Sequence, residues 1–184
     1  MTSAIIVAAG LGTRMESDQD KLFLEVAELP IVGHTWKNFD KHPDIDEIIM
    51  VIREDTREQF VKLTEQLELT KPHKFALGAH KRQDSVINGI AAVSSSCEIV
   101  SIQDGARPCT SSALISKTIA VAREVGAAVA SHKVTDTIKI SDSQNKIVRN
   151  VDRTNLWAVQ TPQVFRLKVI REALAAVRQQ GVTV

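Results

Sequence analysis

Short apolar runs alternate along the chain with longer stretches in which apolar and polar residues repeat with a helical period. Most of the apolar runs are rich in β-branched residues, one is built of small residues, and all are nearly continuous, which is typical of strands covered on both faces of a sheet. Four runs have this pattern: the one that begins at Ile5 and those at residues 47–53, 98–104 and 126–132. They predict buried strands.

The stretches between these runs carry apolar residues three or four positions apart, as one face of a helix requires. They lie at residues 55–69, 84–93, 112–126 and 166–181. Gly126 ends the third stretch, where a left-handed C-cap residue is expected. The pattern therefore predicts helices interleaved with the strands.

Strands and helices that alternate in this way favour an α/β fold with a mostly parallel sheet and helices on both faces. No repeat or linker divides the sequence, so residues 1–184 are predicted to form a single domain. Residues 134–151 differ, because two β-prone runs flank a polar turn at residues 141–145 and predict a hairpin. Since two strands alone are barely stable, the hairpin is expected to lean on the main sheet or on another chain.

Composition narrows the possible functions. Apolar residues make up 43% of the chain and charged residues 24%, and the net charge of +1 gives no broad positive surface for nucleic acid. No apolar run approaches the roughly 20 residues that cross a bilayer, and the N-terminus lacks the basic residues of a signal peptide. Cys97 and Cys109 have no metal-ligand spacing, so we expect two reduced thiols in a cytoplasmic protein.

The first predicted strand runs into a loop with two glycines, in the sequence AAGLGTRM. A dinucleotide-binding fingerprint would need a third glycine at the position of Met15. Gly10 and Gly12 instead let backbone N–H groups approach phosphate oxygens, and Arg14 and Lys21 add two cations nearby. The alternative is that both cations are solvated surface residues. The pattern indicates a site for a triphosphate rather than for a dinucleotide.

A carboxylate ends the third predicted strand, in the sequence DGARP. Asp104 is suited to hold Mg2+ against phosphates, because ligands of open α/β sheets bind beyond the carboxyl ends of the strands. The alternative is a simple turn, since Asp-Gly is a common turn dipeptide. Arg107 is expected either to pair with Asp104 or to contact a substrate.

A loop with Gly78 and Arg82 leads into the second predicted helix. Asp84 or Ser85 is expected to cap that helix, and recognition of a base by Ser85 is the alternative. Arg82 is either a structural anchor or a ligand contact.

The segment DRTNLWAVQTPQVF, at residues 152–165, is rich in polar residues. Arg153 and Thr161 are candidates to contact an anion. Trp157 is more typical of packing than of a stacking platform for a base.

Taken in order, these motifs are similar to those of a known family. The segments AAGLGTRM, RQDSVINGI, DGARP, DTIK, DR and QTPQVF, together with Lys21, resemble the cytidylyltransferases of the isoprenoid pathway, above all the 2-C-methyl-D-erythritol 4-phosphate cytidylyltransferases. The resemblance covers essentially the whole chain. It implies a Rossmann-like nucleotidyltransferase fold, CTP as donor, a sugar-alcohol phosphate as acceptor and Mg2+ as cofactor. It also implies a homodimer joined by a hairpin arm at residues 137–151.

The resemblance further implies roles for individual residues. Arg14 and Lys21 would stabilise the transition state, and Arg153, a third catalytic candidate, would reach the sugar phosphate in the partner subunit's site. Asp104 would hold Mg2+. The binding positions are Ala8, Ala9, Gly10, Gly12, Gly78, Arg82 and Ser85 for the nucleotide, and Asp104, Arg107, Thr137, Arg153 and Thr161 for the substrate.

Three features depart from the family pattern. Its Pro-Lys-Gln is here Asp20-Lys21-Leu22, and the Gly-Gly of its cytosine loop is Gly78-Ala79. The acidic neighbour is expected to weaken the positive potential around Lys21. The family domain is also expected to continue past the final QGVTV with an acidic stretch, another helix and a strand whose lysine helps to place the acceptor phosphate.

Three rival functions stay open at this point. A ribitol 5-phosphate cytidylyltransferase would use nearly the same residues. A non-catalytic nucleotide-binding module would share the fold without the reaction. An NAD-dependent oxidoreductase is disfavoured by Met15 and because no acidic residue ends a second strand about 20 residues further on.

Overall fold

The computed structural model of the chain describes residues 1–10 and 20–180. The strands within them are β1 (Thr2–Val7), β2 (Glu25–Val26), β3 (Leu29–Pro30), β4 (Glu47–Ile52), β5 (His73–Leu77), β6 (Ile99–Asp104), β7 (Ala127–Lys133), β8 (Lys139–Ser141), β9 (Ile147–Asn150) and β10 (Trp157–Arg166). The α-helices are α1 (Ile31–Asp40), α2 (Arg57–Leu67), α3 (Arg82–Ala92), α4 (Ser112–Val125) and α5 (Leu167–Gln180), and 3-10 helices lie at Lys21–Phe23 and Glu54–Thr56.

Six strands form one twisted sheet in the order β5-β4-β1-β6-β10-β7. The neighbours β5, β4, β1 and β6 are parallel to one another. β10 is antiparallel to both β6 and β7, so it is the strand that reverses direction. The prediction of a mostly parallel α/β sheet is confirmed. The parallel strands all point their carboxyl ends at one edge, which is where ligands of such sheets bind.

The two faces of the sheet carry separate apolar clusters. Side chains of β1 alternate between them, with Ile6 in a cluster that includes Trp36 of α1 and Ile115 of α4, and Ile5 in a cluster that includes Val86 of α3 and Ile170 of α5. This alternation follows from the two-residue period of a strand. Helices therefore cover both faces, as predicted.

The predicted helices are present with shifted ends. α4 matches its predicted range closely, and Gly126 follows it with φ +99°, as the C-cap interpretation requires. α3 begins at Arg82 rather than at residue 84, and no side chain caps it. The expectation that Asp84 or Ser85 caps this helix is therefore wrong.

Two elements, α1 and β5, were not predicted from the sequence. β5 has little apolar patterning, and only Ala76 in it is buried. α1 buries Val32, Trp36 and Phe39 at helical spacing, a signal that was overlooked.

The predicted hairpin is β8 paired with β9, extended by a bond from the Val151 N–H to the Ile138 carbonyl at 2.9 Å. It forms a two-stranded sheet of its own, and every residue of both strands is exposed. The hairpin was expected to lean on the main sheet or on another chain, and within this chain it does not pair with the main sheet. Large apolar side chains on it, Ile147 and Val148, are 64% and 62% exposed.

One buried carboxylate joins three elements at the opposite end of the sheet. Glu47, 2% exposed, accepts hydrogen bonds from the Ser3 hydroxyl at 2.6 Å and from the Ser94 N–H and hydroxyl at 2.7 and 2.6 Å. Burial would raise the pKa of Glu47. These hydrogen bonds and the charge of Lys74, 3.6 Å away, outweigh burial and lower that pKa below its ordinary value.

Both cysteines are free thiols, Cys97 buried and Cys109 exposed, as the sequence analysis expected. Among residues 1–10 and 20–180, no helix has the length and apolar character needed to cross a membrane.

Candidate active site

Three loops meet at the carboxyl edge of the parallel strands, and main-chain bonds connect each to a neighbouring strand. The Ala8 N–H donates to the Val51 carbonyl at 2.8 Å, and the Gly78 N–H donates to the Ile52 carbonyl at 2.8 Å. The Gly105 N–H donates to the Val7 carbonyl at 2.9 Å. The loops after β1, β5 and β6 are thereby held at one edge, as predicted for the motifs that follow β1 and β6.

Close packing at this edge requires glycine at position 78. A Cβ placed on Gly78 would lie 2.1 Å from the Ala9 Cβ, far inside the distance at which two carbons can touch. Its next neighbours, the Ile52 carbonyl and the Ser85 hydroxyl, would be 3.4 Å away. Gly78 and Ala9, two predicted nucleotide-binding residues, are thus in direct contact across the end of β4.

Asp104 ends β6 and is the centre of an ion-pair cluster. Its Oδ1 accepts hydrogen bonds from Arg82 Nη2 at 3.0 Å and Nε at 3.3 Å. Its Oδ2 accepts a hydrogen bond from Arg107 Nε at 2.9 Å. The side chains of all three are 31–48% exposed, so the cluster opens to solvent. One of the two alternatives for Arg107, pairing with Asp104, is confirmed.

β10 supplies the other wall of this cluster. Thr161 is 6% exposed, and its hydroxyl accepts a hydrogen bond from the Asp104 N–H at 3.3 Å. The Gln160 side chain accepts a hydrogen bond from Arg107. The peptide between Thr161 and Pro162 is cis. The structure therefore brings Arg82, Asp104, Arg107 and Thr161 together, although they are far apart in sequence.

Ser85 lies beside the cluster but its hydroxyl faces the chain's own backbone. It is 2% exposed, accepts a hydrogen bond from the Ala79 N–H at 2.9 Å and lies 3.2 Å from the Ala79 and Lys81 carbonyl oxygens. These contacts shape the loop that follows β5. Ser85 is thus a support for the predicted cytosine loop, and Gly78 stands at the start of that loop.

Gln103 is a site residue that the sequence analysis missed. It is fully buried, and its side-chain amide donates to the Arg107 carbonyl at 3.1 Å and to the Thr110 hydroxyl at 3.0 Å. These bonds fix the turn that carries Arg107. The signal that could have identified it is a glutamine inside an apolar run, directly before the carboxylate that ends it, since an amide in a buried strand needs hydrogen-bond partners.

Lys21 begins the 3-10 helix Lys21–Phe23, and its neighbour Asp20 caps that helix. The Asp20 Oδ1 accepts a hydrogen bond from the Leu22 N–H at 3.0 Å. The Asp20 Oδ2 pairs with Arg53 Nη2 at 2.8 Å. The acidic residue beside Lys21 is therefore matched by a cation, which limits the weakening of positive potential expected from the sequence. Arg53 was also missed as a site residue. Its position directly after the predicted buried strand is the signal that could have identified it.

The remaining predicted residues are either exposed or outside the described part of the chain. Gly12 and Arg14 lie outside the described residues, while Gly10 is described and exposed. Thr137 and Arg153 are exposed, at the base of the hairpin and outside the ion-pair cluster, and Arg153 donates a hydrogen bond to the Thr135 carbonyl.

Trp157 is 53% exposed, with Lys133 Nζ 5.7 Å from its ring centroid, so the expectation that it is a packing residue is wrong within this chain.

A metal ion at this edge would depend on few protein ligands. The described residues contain no group of three or more His, Cys, Asp or Glu side chains arranged to hold a metal. Asp104 offers one carboxylate, which fits Mg2+, because that ion is commonly held by one or two carboxylates together with substrate phosphates and water. The Oδ2 atom of Asp104 accepts one hydrogen bond, from Arg107, and so keeps a lone pair that a metal ion can use.

Comparison with known proteins gives one consistent family. Residues 2–184 match the family model described as 2-C-methyl-D-erythritol 4-phosphate cytidylyltransferase. The protein of that name from Alkaliphilus oremlandii is 44% identical over 173 residues, which cover 94% of this chain and 73% of the relative. The one from Caldanaerobacter subterraneus is 41% identical over 180 residues, covering 97% of this chain and 79% of the relative.

Solved structures agree with the sequence relatives. The 4-diphosphocytidyl-2C-methyl-D-erythritol synthase of Anaerococcus prevotii superimposes with a TM-score of 0.85 at 30% identity, covering this whole chain and 78% of that one. The 2-C-methyl-D-erythritol 4-phosphate cytidylyltransferase of Thermus thermophilus superimposes with a TM-score of 0.74 at 27% identity, covering 100% of this chain and 80% of that one. From these matches and the site described above, the chain belongs to the 2-C-methyl-D-erythritol 4-phosphate cytidylyltransferase family.

Proposed function

We propose that this enzyme transfers CMP from CTP to 2-C-methyl-D-erythritol 4-phosphate, a step of non-mevalonate isoprenoid biosynthesis, and releases pyrophosphate. The observation that carries the proposal is the ion-pair cluster of Asp104, Arg82 and Arg107 at the carboxyl edge of the sheet, next to the end of β1, in a member of this family. Both guanidinium groups can exchange a carboxylate oxygen for a phosphate oxygen, with which they form equally good bidentate contacts.

The reaction requires cationic groups and alignment of the reactants, and it does not require a general base. The acceptor phosphate has a second pKa of about 6, so its oxygen is largely ionised at neutral pH. That oxygen attacks the α-phosphorus of CTP, a new P–O bond forms, and the bond to pyrophosphate breaks. Because both reactants are anions, cations that hold them together lower the barrier. We assign this role to Arg14 and Lys21.

Mg2+ is the proposed cofactor, with Asp104 as its protein ligand. The single, half-exposed carboxylate at the end of β6 supports this assignment. When bound, the ion would neutralise charge on the CTP phosphates. Arg107 and Thr161, which contact Asp104, would then line the substrate pocket.

The assembly we propose is a homodimer joined by the hairpin. The support is the exposure of β8 and β9 with their apolar side chains, which need another surface to cover them. In such a dimer Thr137 and Arg153, at the base of the hairpin, would reach the acceptor phosphate in the partner's site. A cytoplasmic location is also proposed, and the two free cysteines support it.

Release of pyrophosphate from CTP tests the reaction. We expect release with 2-C-methyl-D-erythritol 4-phosphate and much less with ribitol 5-phosphate at equal concentration. A preference for ribitol 5-phosphate would replace the acceptor. CTP binding without release in the presence of either acceptor would indicate a nucleotide-binding module instead.

Substitution of the proposed catalytic cations tests their role. We expect Arg14→Ala or Lys21→Ala to lower kcat about a hundredfold, which corresponds to roughly 3 kcal/mol of transition-state stabilisation, with a much smaller change in the Kd for CTP. Lys62→Ala, on the exposed face of α2, is the matched control and should change neither value. A loss of CTP affinity as large as the loss of kcat would mean that these cations serve only in binding.

A further inference from the structure

Arg53 makes contacts that no family motif accounts for. It follows the last residue of β4, at the carboxyl edge of the sheet, and its side chain is 19% exposed. Each nitrogen of its guanidinium has a partner: Nη1 donates to the Gly10 carbonyl at 3.2 Å, Nη2 to Asp20 Oδ2 at 2.8 Å and Nε to Asp55 Oδ1 at 3.1 Å. The planar group is held from three directions, which fixes its orientation.

Two of these partners flank the segment that contains Arg14. Gly10 precedes residues 11–19 and Asp20 follows them. One guanidinium therefore sets the distance between the residues at either end of this segment. No other side chain among the described residues contacts both Gly10 and Asp20 in the hydrogen bonds of the structure.

The contact with Asp20 also controls the position of Lys21. While Asp20 Oδ2 pairs with Arg53, Oδ1 receives the Leu22 N–H at 3.0 Å, and the Asp20 carbonyl receives the Phe23 N–H at 2.9 Å. Leu22 is 3% exposed and packs next to Gly105 in the loop after β6. The backbone of Lys21 thus lies between a fixed carboxylate on one side and a buried leucine on the other.

The pair has an electrostatic consequence as well. An unpaired carboxylate beside Lys21 would repel the anionic substrates and attract the lysine ammonium to itself. Arg53 places a positive charge 2.8 Å from that carboxylate. Partial burial would lower the pKa of Arg53, but the hydrogen bonds and charges of Asp20 and Asp55 raise it, so the guanidinium stays charged.

We propose that Arg53 is a positioning residue of the cytidylyl-transfer site, which acts by joining Gly10 to Asp20 and by offsetting the charge of Asp20 next to Lys21. The inference rests on the proposed function for its kinetic consequence but not for its structural one. It explains how this chain keeps an acidic residue at position 20, next to the lysine proposed to be catalytic.

A double-mutant cycle tests the kinetic consequence. Arg53→Met keeps the apolar stem but removes the charge and the donors, and we expect kcat/KM for CTP to fall between about tenfold and a hundredfold because the lysine and the loop ends are displaced. Asp20→Asn keeps an oxygen for the Leu22 N–H but removes the charge. In the Asp20→Asn background, Arg53→Met should cost several-fold less, because no unpaired carboxylate is left beside Lys21.

The matched control is Arg57→Met, which removes an arginine four residues later that pairs only with Glu54 in the ion pairs of the described chain. It should leave kcat/KM unchanged. Arg53→Lys should retain part of the activity, since an ammonium can pair with Asp20 but cannot serve three partners in one plane. A loss in Arg53→Met no greater than in Arg57→Met, or an equal loss in both Asp20 backgrounds, would overturn the proposal.

Amide hydrogen exchange provides a readout that does not depend on activity. We expect Arg53→Met to speed exchange at Leu22 and Phe23, whose N–H groups are bound by Asp20, while exchange in β4 and the thermal midpoint stay close to those of the unaltered protein. Unchanged exchange at these two amides would refute the positioning role even if activity falls. Absence of cytidylyl transfer in the unaltered protein would instead count against the proposed function and leave the exchange result intact.

Discussion

The contact between Gly78 and Ala9 predicts that one methyl group can disable the site. In Gly78→Ala the new Cβ would lie 2.1 Å from the Ala9 Cβ, whereas carbon atoms pack at about 3.5 Å or more. The two loops must therefore separate by roughly 1.4 Å. Gly78 donates to Ile52 and Ala8 donates to Val51, each at 2.8 Å, so separation strains or breaks one of these bonds at the end of β4.

The size of the effect follows from these two costs. Overpacking costs typically 1–3 kcal/mol and a strained hydrogen bond about 1 kcal/mol, so we expect Gly78→Ala to lower the free energy of unfolding by roughly 2–4 kcal/mol. A shift of about 1 Å at a reacting site can cost a hundredfold in rate, and we expect a loss of that order in kcat/KM for CTP. Urea unfolding and pyrophosphate release measure the two quantities.

A second substitution separates this steric explanation from others. Ala9→Gly removes the single atom that the new Cβ would strike, and the next neighbours at 3.4 Å are at ordinary contact distance. The double variant Gly78→Ala/Ala9→Gly should therefore regain most of the stability and activity lost in Gly78→Ala. Normal stability and activity in Gly78→Ala, or no recovery in the double variant, would show that the two loops are not in the contact described.

Further outcomes follow from two other features of the fold. Gly33→Ala should raise the free energy of unfolding by about 0.5–1 kcal/mol, because its Cβ meets only side-chain carbons at 3.5–3.7 Å. Gly89→Ala should lower the free energy of unfolding by about 1–3 kcal/mol, because its Cβ would lie 2.6 Å from a methyl of Ile5. Thermal unfolding of both variants compares them directly. The pKa of Glu47 is lower in the folded protein than its ordinary value of 4.5, so the ionised Glu47 stabilises the fold at pH values above 4.5. This stabilisation is lost as the pH falls through the pKa of Glu47 in the folded protein. Glu47→Gln should therefore be less stable than the unaltered protein by about 2 kcal/mol at pH 7 in urea titrations. This difference in stability should narrow as the pH falls below 4.5, whereas a constant difference would assign the loss to packing.

Much of the candidate site could be predicted from the sequence because its residues follow strands. Asp104 ends an apolar β-branched run, and in a parallel sheet that position determines which edge the carboxylate occupies. The same rule places Ala9 at that edge, because it follows the first apolar run. What local pattern could not supply was the pairing of Asp104 with Arg82 as well as Arg107, since Arg82 begins α3, 22 positions away.

Of the elements that were missed, β5 lacks a local signal, whereas α1 has one in the helical spacing of Val32, Trp36 and Phe39. β5 lies at the edge of the sheet and is half solvated, so its sequence lacks the continuous apolar run of a central strand. The cap expected for α3 failed because Ser85 bonds to the backbone of the loop before the helix instead, a choice set by the tertiary path of that loop.

The sequence by itself determined the strand and helix alternation, the glycine loop, the carboxylate at the end of β6 and the hairpin, because each depends on the chemistry of neighbouring residues. The tertiary structure alone decided which of these lie in contact. Arg53 meets both Gly10 and Asp20, and Gly78 meets Ala9, only because β4 lies between β1 and β5 in the sheet. Strand order brings together residues that are tens of positions apart, and no local pattern in the chain carries that order.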